Sequence, residues 1–77
     1  MDVRTINVED VIFATVLRNG MKIASMTLSG LSSIADLVVA VGRRLGRQAG
    51  LVTLCVRNYT KGWSDTRAVL MRGVVTG

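Results

Sequence analysis

The chain has 77 residues and a mass of 8.3 kDa, room for one domain and none for a cofactor domain beside a substrate domain. Hydrophobic residues make up 49% and charged residues 19%, with no proline, which excludes a disordered or low-complexity chain. Ten Lys and Arg against five Asp and Glu leave +5, and eight of the ten cations are Arg, the side chain suited to bidentate phosphate or carboxylate contacts.

In chain order, Val3 to Val8 can add a short N-terminal edge strand, and the packed core is expected over residues 10–72 of a single domain 1–77. Val11 to Leu17 and Lys22 to Leu28 are apolar, β-rich runs on either side of Asn19-Gly20. Asn-Gly between two such runs predicts a hairpin, because a type I′ turn needs positive φ at both residues. A regular ladder from that turn pairs Leu17 with Lys22, Thr15 with Ala24, Phe13 with Met26 and Val11 with Leu28. It leaves Ile12, Ala14, Val16 and Ile23 on the opposite face. Both faces are largely apolar, so one packs on a helix and the other asks for a second cover.

Ser29 to Ser33 breaks the pattern, and Ser33 with Asp36 reads as a capping box. Ile34, Leu37, Val38, Val41 and Leu45 form one apolar stripe at helical period, which predicts a helix ending near Gly50. Gly42 and Gly46 would each cost about 1 kcal/mol relative to Ala inside it. With Gly50 they form a small-residue strip that lets another backbone approach, unless Gly46 is only a C-cap. Leu51 to Arg57 and Arg67 to Arg72 form a second pair of strands. A tight turn at Lys61-Gly62 pairs Val56 with Arg67, Leu54 with Val69 and Val52 with Met71. Thr53, Cys55, Ala68 and Leu70 then share the other face. The expected fold is α+β: hairpin, helix, hairpin, a single four-stranded sheet with one helix on one face, in a β-grasp-like layout.

Catalysis finds little to work with. The chain has no histidine, so Ser29, Ser32, Ser33 and the lone Cys55 lack the usual activating base. Glu9 and Asp10 are adjacent and diverge on an extended chain, and Asp36 is used by the helix cap. No enzyme activity, cofactor or metal is expected. A lone thiol cannot close an internal disulfide, no disulfide-linked partner is expected, and a reducing, cytoplasmic location fits best. The longest apolar stretch, Ile34 to Val41, is too short for a span of about 20 residues. The start of the chain, with Asp2 before Arg4, shows no signal-peptide h-region.

Two functional readings remain. The first is a non-catalytic protein-interaction module, a homodimer through the open sheet face: Ile12, Ala14, Val16, Ile23, Thr53, Cys55, Ala68 and Leu70. Its warrant is that a large exposed apolar patch usually marks an interface. The alternative is nucleic-acid binding. Arg43, Arg44 and Arg47 form a basic patch at the helix end, where their plainer role is to complement the helix dipole. Arg57, Tyr59, Lys61, Trp63 and Arg67 interleave aromatics with cations on the second hairpin, as in surfaces that stack bases and neutralise phosphates. The apolar surplus puts the interaction module first, because solubility alone can account for the charge.

Overall fold

A computed structural model describes residues 5–48 and 50–71. Two hairpins flank one helix: β1 (Ile12–Arg18) and β2 (Met21–Leu28), then α1 (Ile34–Leu45), then β3 (Leu51–Asn58) and β4 (Trp63–Leu70). The four strands form one antiparallel sheet in the order β2-β1-β3-β4. The hairpins therefore meet through their first strands, and β2 and β4 are the edges. Among the described residues, no helix is long and apolar enough to cross a membrane. Of the Val3–Val8 edge strand, Val3 and Arg4 lie outside the described residues, and residues 5–8 are not strand. They are nonetheless part of the packed unit, which begins before residue 10, because Ile6 is buried in the core. Arg72, at the expected far boundary, lies outside the described residues.

Asn19 and Gly20 both take positive φ, 53° and 79°, as a type I′ turn requires. Next to the turn the register is the expected one, with Leu17 opposite Lys22. A β-bulge then intervenes between Val16 and Leu17, and Ile23 is the extra residue. Beyond it Val16 faces Ala24, Ala14 faces Met26 and Ile12 faces Leu28. One inserted residue changes which face each β2 side chain occupies. Met26 thereby joins Ala14 on the buried side, while Ser25 and Thr27 turn outward with Thr15 and Phe13.

This corrects the proposed dimer face. Ile12, Ala14 and Val16 are fully buried beneath α1, and half-buried Ile23 packs against the same core. The wall opposite them is the predicted helix stripe, with Leu37, Val41 and Leu45 buried. Val52, Leu54 and Val56 of β3 complete the floor. In the second hairpin the loop is Tyr59 to Gly62 rather than a two-residue turn, closed by Gly62 N–H to the Asn58 carbonyl at 2.8 Å. The register slides by two, giving Val56 opposite Asp65, Leu54 opposite Arg67 and Val52 opposite Val69. A shift of two keeps every side chain on its expected face.

Ser33 is the expected N-cap, its Oγ accepting the Asp36 N–H at 3.1 Å, but the return arm of the box goes to Ser32 and not to Ser33. The Asp36 carboxylate in turn accepts from the backbone N–H and hydroxyl of Ser32, at 3.2 and 2.7 Å. The helix ends sooner than expected, at Leu45. Gly46 takes φ 55° and donates its N–H to the Gly42 carbonyl, so it is the C-cap, and a short 3-10 turn, Gly46–Gln48, follows. Gly46 and Gly50 thus lie outside α1, and the small-residue strip is not a helix face.

A polar knot ties the N-terminal segment to the second hairpin. Asp10 and Asn58 are both buried. Asp10 Oδ2 accepts from Asn58 Nδ2 at 2.9 Å, from the Asn7 N–H at 3.1 Å and from Lys61 Nζ at 3.0 Å. Asn58 Oδ1 accepts the Lys61 N–H at 2.9 Å, and the Trp63 indole donates to the Thr5 carbonyl at 3.3 Å. The Asn58 amide, with Asn7 and Lys61, holds the Asp10 carboxyl below its ordinary value of 3.8, against the opposing effect of burial. Its folded pKa is depressed, so its stabilisation is present above 3.8 and is lost as pH falls through the lower folded value. Urea midpoints taken from about pH 5 toward about pH 2 should fall, and an Asp10→Asn variant should show a shallower fall. Equal slopes for the two proteins would show that Asp10 is not the group responsible.

Candidate functional site: the open face of the sheet

The single helix covers one face of the sheet, and no described element lies on the other. The ladder assigns the residues of that open face in rows. One row runs Thr27, Phe13, Arg57, Ser64, and the next runs Ser25, Thr15, Cys55, Thr66. Leu17, Thr53 and Ala68 make a third row, and Leu51 opposite Leu70 makes the last. The face is therefore graded. An aromatic and cationic end leads through a band of hydroxyls and one thiol to an apolar end.

At the first end, the rings of Phe13 and Tyr59 lie 6.5 Å apart and tilted by 49°, and the Arg57 guanidinium sits 5.7 Å from the Tyr59 centroid. Tyr59 is held beside this end by its own N–H, which donates to the Val11 carbonyl at 3.0 Å. It remains 58% exposed, so it anchors no core. A groove of about 220 Å³ crosses Phe13, Thr15, Cys55, Arg57, Ser64 and Thr66. At the far end Leu51 and Leu70 are 69% and 65% exposed, a bare apolar cross-strand pair.

The basic and aromatic residues singled out in the sequence do not form one patch. Arg57 and Tyr59 come together on the open face. Lys61 turns back to Asp10 and to the Thr5 hydroxyl. Trp63 and Arg67 point to the helix side, where Arg67 clasps the Asp65 carboxylate. There they border a cleft of about 150 Å³ between α1 and β4, floored by Leu54 and Val56. Arg43, Arg44 and Arg47 are exposed at the helix end, away from the open face. Of the proposed dimer face, half-buried Thr53 and Cys55 and exposed Ala68 and Leu70 do lie on the open side. Phe13 is the contributor that sequence reasoning missed. Its position one residue from buried Ile12 and Ala14 would have placed it, had the core parity of β1 been known.

No family model, curated protein or solved structure was found to match this chain.

Proposed function

We propose that this chain is a small non-catalytic binding module that works through the open face of its sheet, and that its partner is a single-stranded nucleic acid. The observation that carries this reading is the Phe13–Arg57–Tyr59 cluster on a sheet face that no described element covers. An exposed Tyr59 ring beside a half-buried Phe13 on an open sheet offers a π-face to unstacked bases, and a guanidinium beside it meets the phosphates. The adjacent hydroxyls of Thr15, Ser64 and Thr66 supply donors and acceptors for sugar and base edges. The net charge of +5 favours a polyanion.

A protein partner is favoured by a separate observation, the bare Leu51–Leu70 pair at the opposite end. The apolar surplus behind that reading shrinks, however, once Ile12, Ala14, Val16 and Ile23 are accounted for by the core.

Fluorescence anisotropy of a labelled mixed-sequence oligonucleotide tests the reading. Binding on the order of micromolar is expected, tighter for the single strand than for the duplex and falling steeply with salt. Removing both Arg57 and Tyr59 by Ala should weaken it by at least about tenfold, from lost stacking and phosphate contact. Leu51→Ser with Leu70→Ser should leave it unchanged. Absence of binding even at low salt would sink the nucleic-acid reading and leave the face to a protein partner. Binding lost only with Arg43, Arg44 and Arg47 would move the site to the helix end.

A further inference from the structure

We infer that the exposed edge of β4 is a self-complementary docking strand, and that its occupant is a second copy of this chain, paired antiparallel about a two-fold axis at Thr66. The inference concerns a different surface from the open face and does not depend on what that face binds.

The first ground is which backbone groups the edge presents. The Met71 N–H donates to the Gly50 carbonyl at 2.9 Å, in line with the β3–β4 register. In an antiparallel ladder, alternate residues turn their N–H and C=O to opposite sides. Val69, Arg67, Asp65 and Trp63 therefore turn theirs toward β3. Leu70, Ala68, Thr66 and Ser64 turn theirs out to the edge. All four of these residues are exposed, and β4 has no neighbouring strand on that side among the described residues.

The second ground is charge. A two-fold at Thr66 sets Asp65 of one copy against the second copy's Arg67, and Arg67 against the second copy's Asp65. With the Asp65–Arg67 pair already present within each strand, this makes a square of alternating signs. These residues would be the non-hydrogen-bonded pairs, whose side chains approach most closely. The same axis sets Trp63 against Val69 on the helix side and Ser64 against Ala68 on the open side. An axis at Ser64 would instead oppose Arg67 to Lys61, and an axis at Ala68 would oppose Arg67 to Val69. Of these three axes, only the one at Thr66 is complementary.

The third ground is that the assembly closes. The other edge, β2, pairs with β1 through the bulge at Ile23, a device that twists an edge and spoils its fit to a further strand. One self-pairing edge and one irregular edge give a dimer with isologous contacts rather than a fibre. The helix-side cleft of each copy then lies along the seam, and the two open faces become one continuous sheet surface.

Sedimentation equilibrium of the full chain tests this. At tens of micromolar, wild type should approach twice the 8.3 kDa chain mass. Single Arg67→Glu and Asp65→Lys variants should each weaken association by at least about tenfold, because they set like charges opposite. The double variant, carrying both changes, should restore it. Thr66→Pro should give a folded monomer, since the N–H it removes faces the edge and not β3. Hydrogen exchange should show the amides of Ser64, Thr66, Ala68 and Leu70 protected in wild type and released in Thr66→Pro. A monomeric wild type overturns the inference. So does a dimer indifferent to the single charge changes, a double variant that stays monomeric, or a dimer whose four edge amides exchange freely.

Discussion

Replacing Val16 by Glu unfolds the chain. Val16 is fully buried beneath α1, beside Leu54 and Ala24 in the ladder. A carboxylate there has no described partner to pair with, and an unpaired buried charge costs several kcal/mol. A domain of this size holds only about 3–5 kcal/mol in all. The expected result is loss of the cooperative urea transition and of the native circular dichroism. Thr15→Glu is the control, one residue away and on the open face, and it should stay folded. The contrast tests the parity of β1 directly. A cooperative Val16→Glu variant beside an unfolded Thr15→Glu variant would mean that the two faces have been exchanged.

Asn58→Ala should be the most damaging change to a polar residue. Asn58 is completely buried at the end of β3. Its amide group bonds at once to Asp10 and to the Lys61 N–H, with a longer contact to the Thr5 carbonyl at 3.5 Å. Truncation deletes these bonds and takes a donor from the buried Asp10 carboxylate, a combined loss of about 2–4 kcal/mol. The damage should not be uniform. The N-terminal segment should detach first, which would show as faster exchange of the Ile6 amide and a red-shifted Trp63 emission. A variant within about 0.5 kcal/mol of wild type by urea titration would mean that the knot is decoration, not a fastening.

Much of the architecture is legible from local chemistry. Asn19-Gly20 sets a turn, Ser33 and Asp36 cap a helix, and a stripe from Ile34 to Leu45 aims it at the sheet. Each of these signals acts over a few residues, where sequence order and spatial order coincide. The candidate site is less legible because it depends on the parity of β1. Ile12 to Leu17 is apolar at nearly every position, so a period of two selects neither face. The bulge at Ile23, which the run from Lys22 to Leu28 does not advertise, then sets which β2 side chains share the buried face. The same ambiguity leaves Phe13 indistinguishable from Ile12, Ala14 and Val16, which are buried on the opposite face. The second hairpin keeps its expected faces although its loop is longer than a two-residue turn, because the register moves by two. The Asp10–Asn58 bond lies beyond any local pattern, since its partners are 48 positions apart. The scattering of the basic residues has a related cause. Arg57 and Arg67 belong to one hairpin but leave it on opposite sides.

The strand order carries a consequence for how the molecule comes into being. β1 occupies the middle of the sheet but is made early, and its second neighbour, β3, lies on the far side of the helix in the chain. During synthesis the first hairpin and the helix emerge while one flank of Ile12–Leu17 still has unpaired amides. That stretch combines β-branched, aromatic and aliphatic side chains with no charge, the composition most prone to intermolecular pairing. Until residue 58 is free to fold, the nascent chain presents a strand with one unpaired flank, which the finished sheet closes on both sides. The interval between forming the first hairpin and adding β3 is therefore the stage at which the chain is most open to intermolecular pairing.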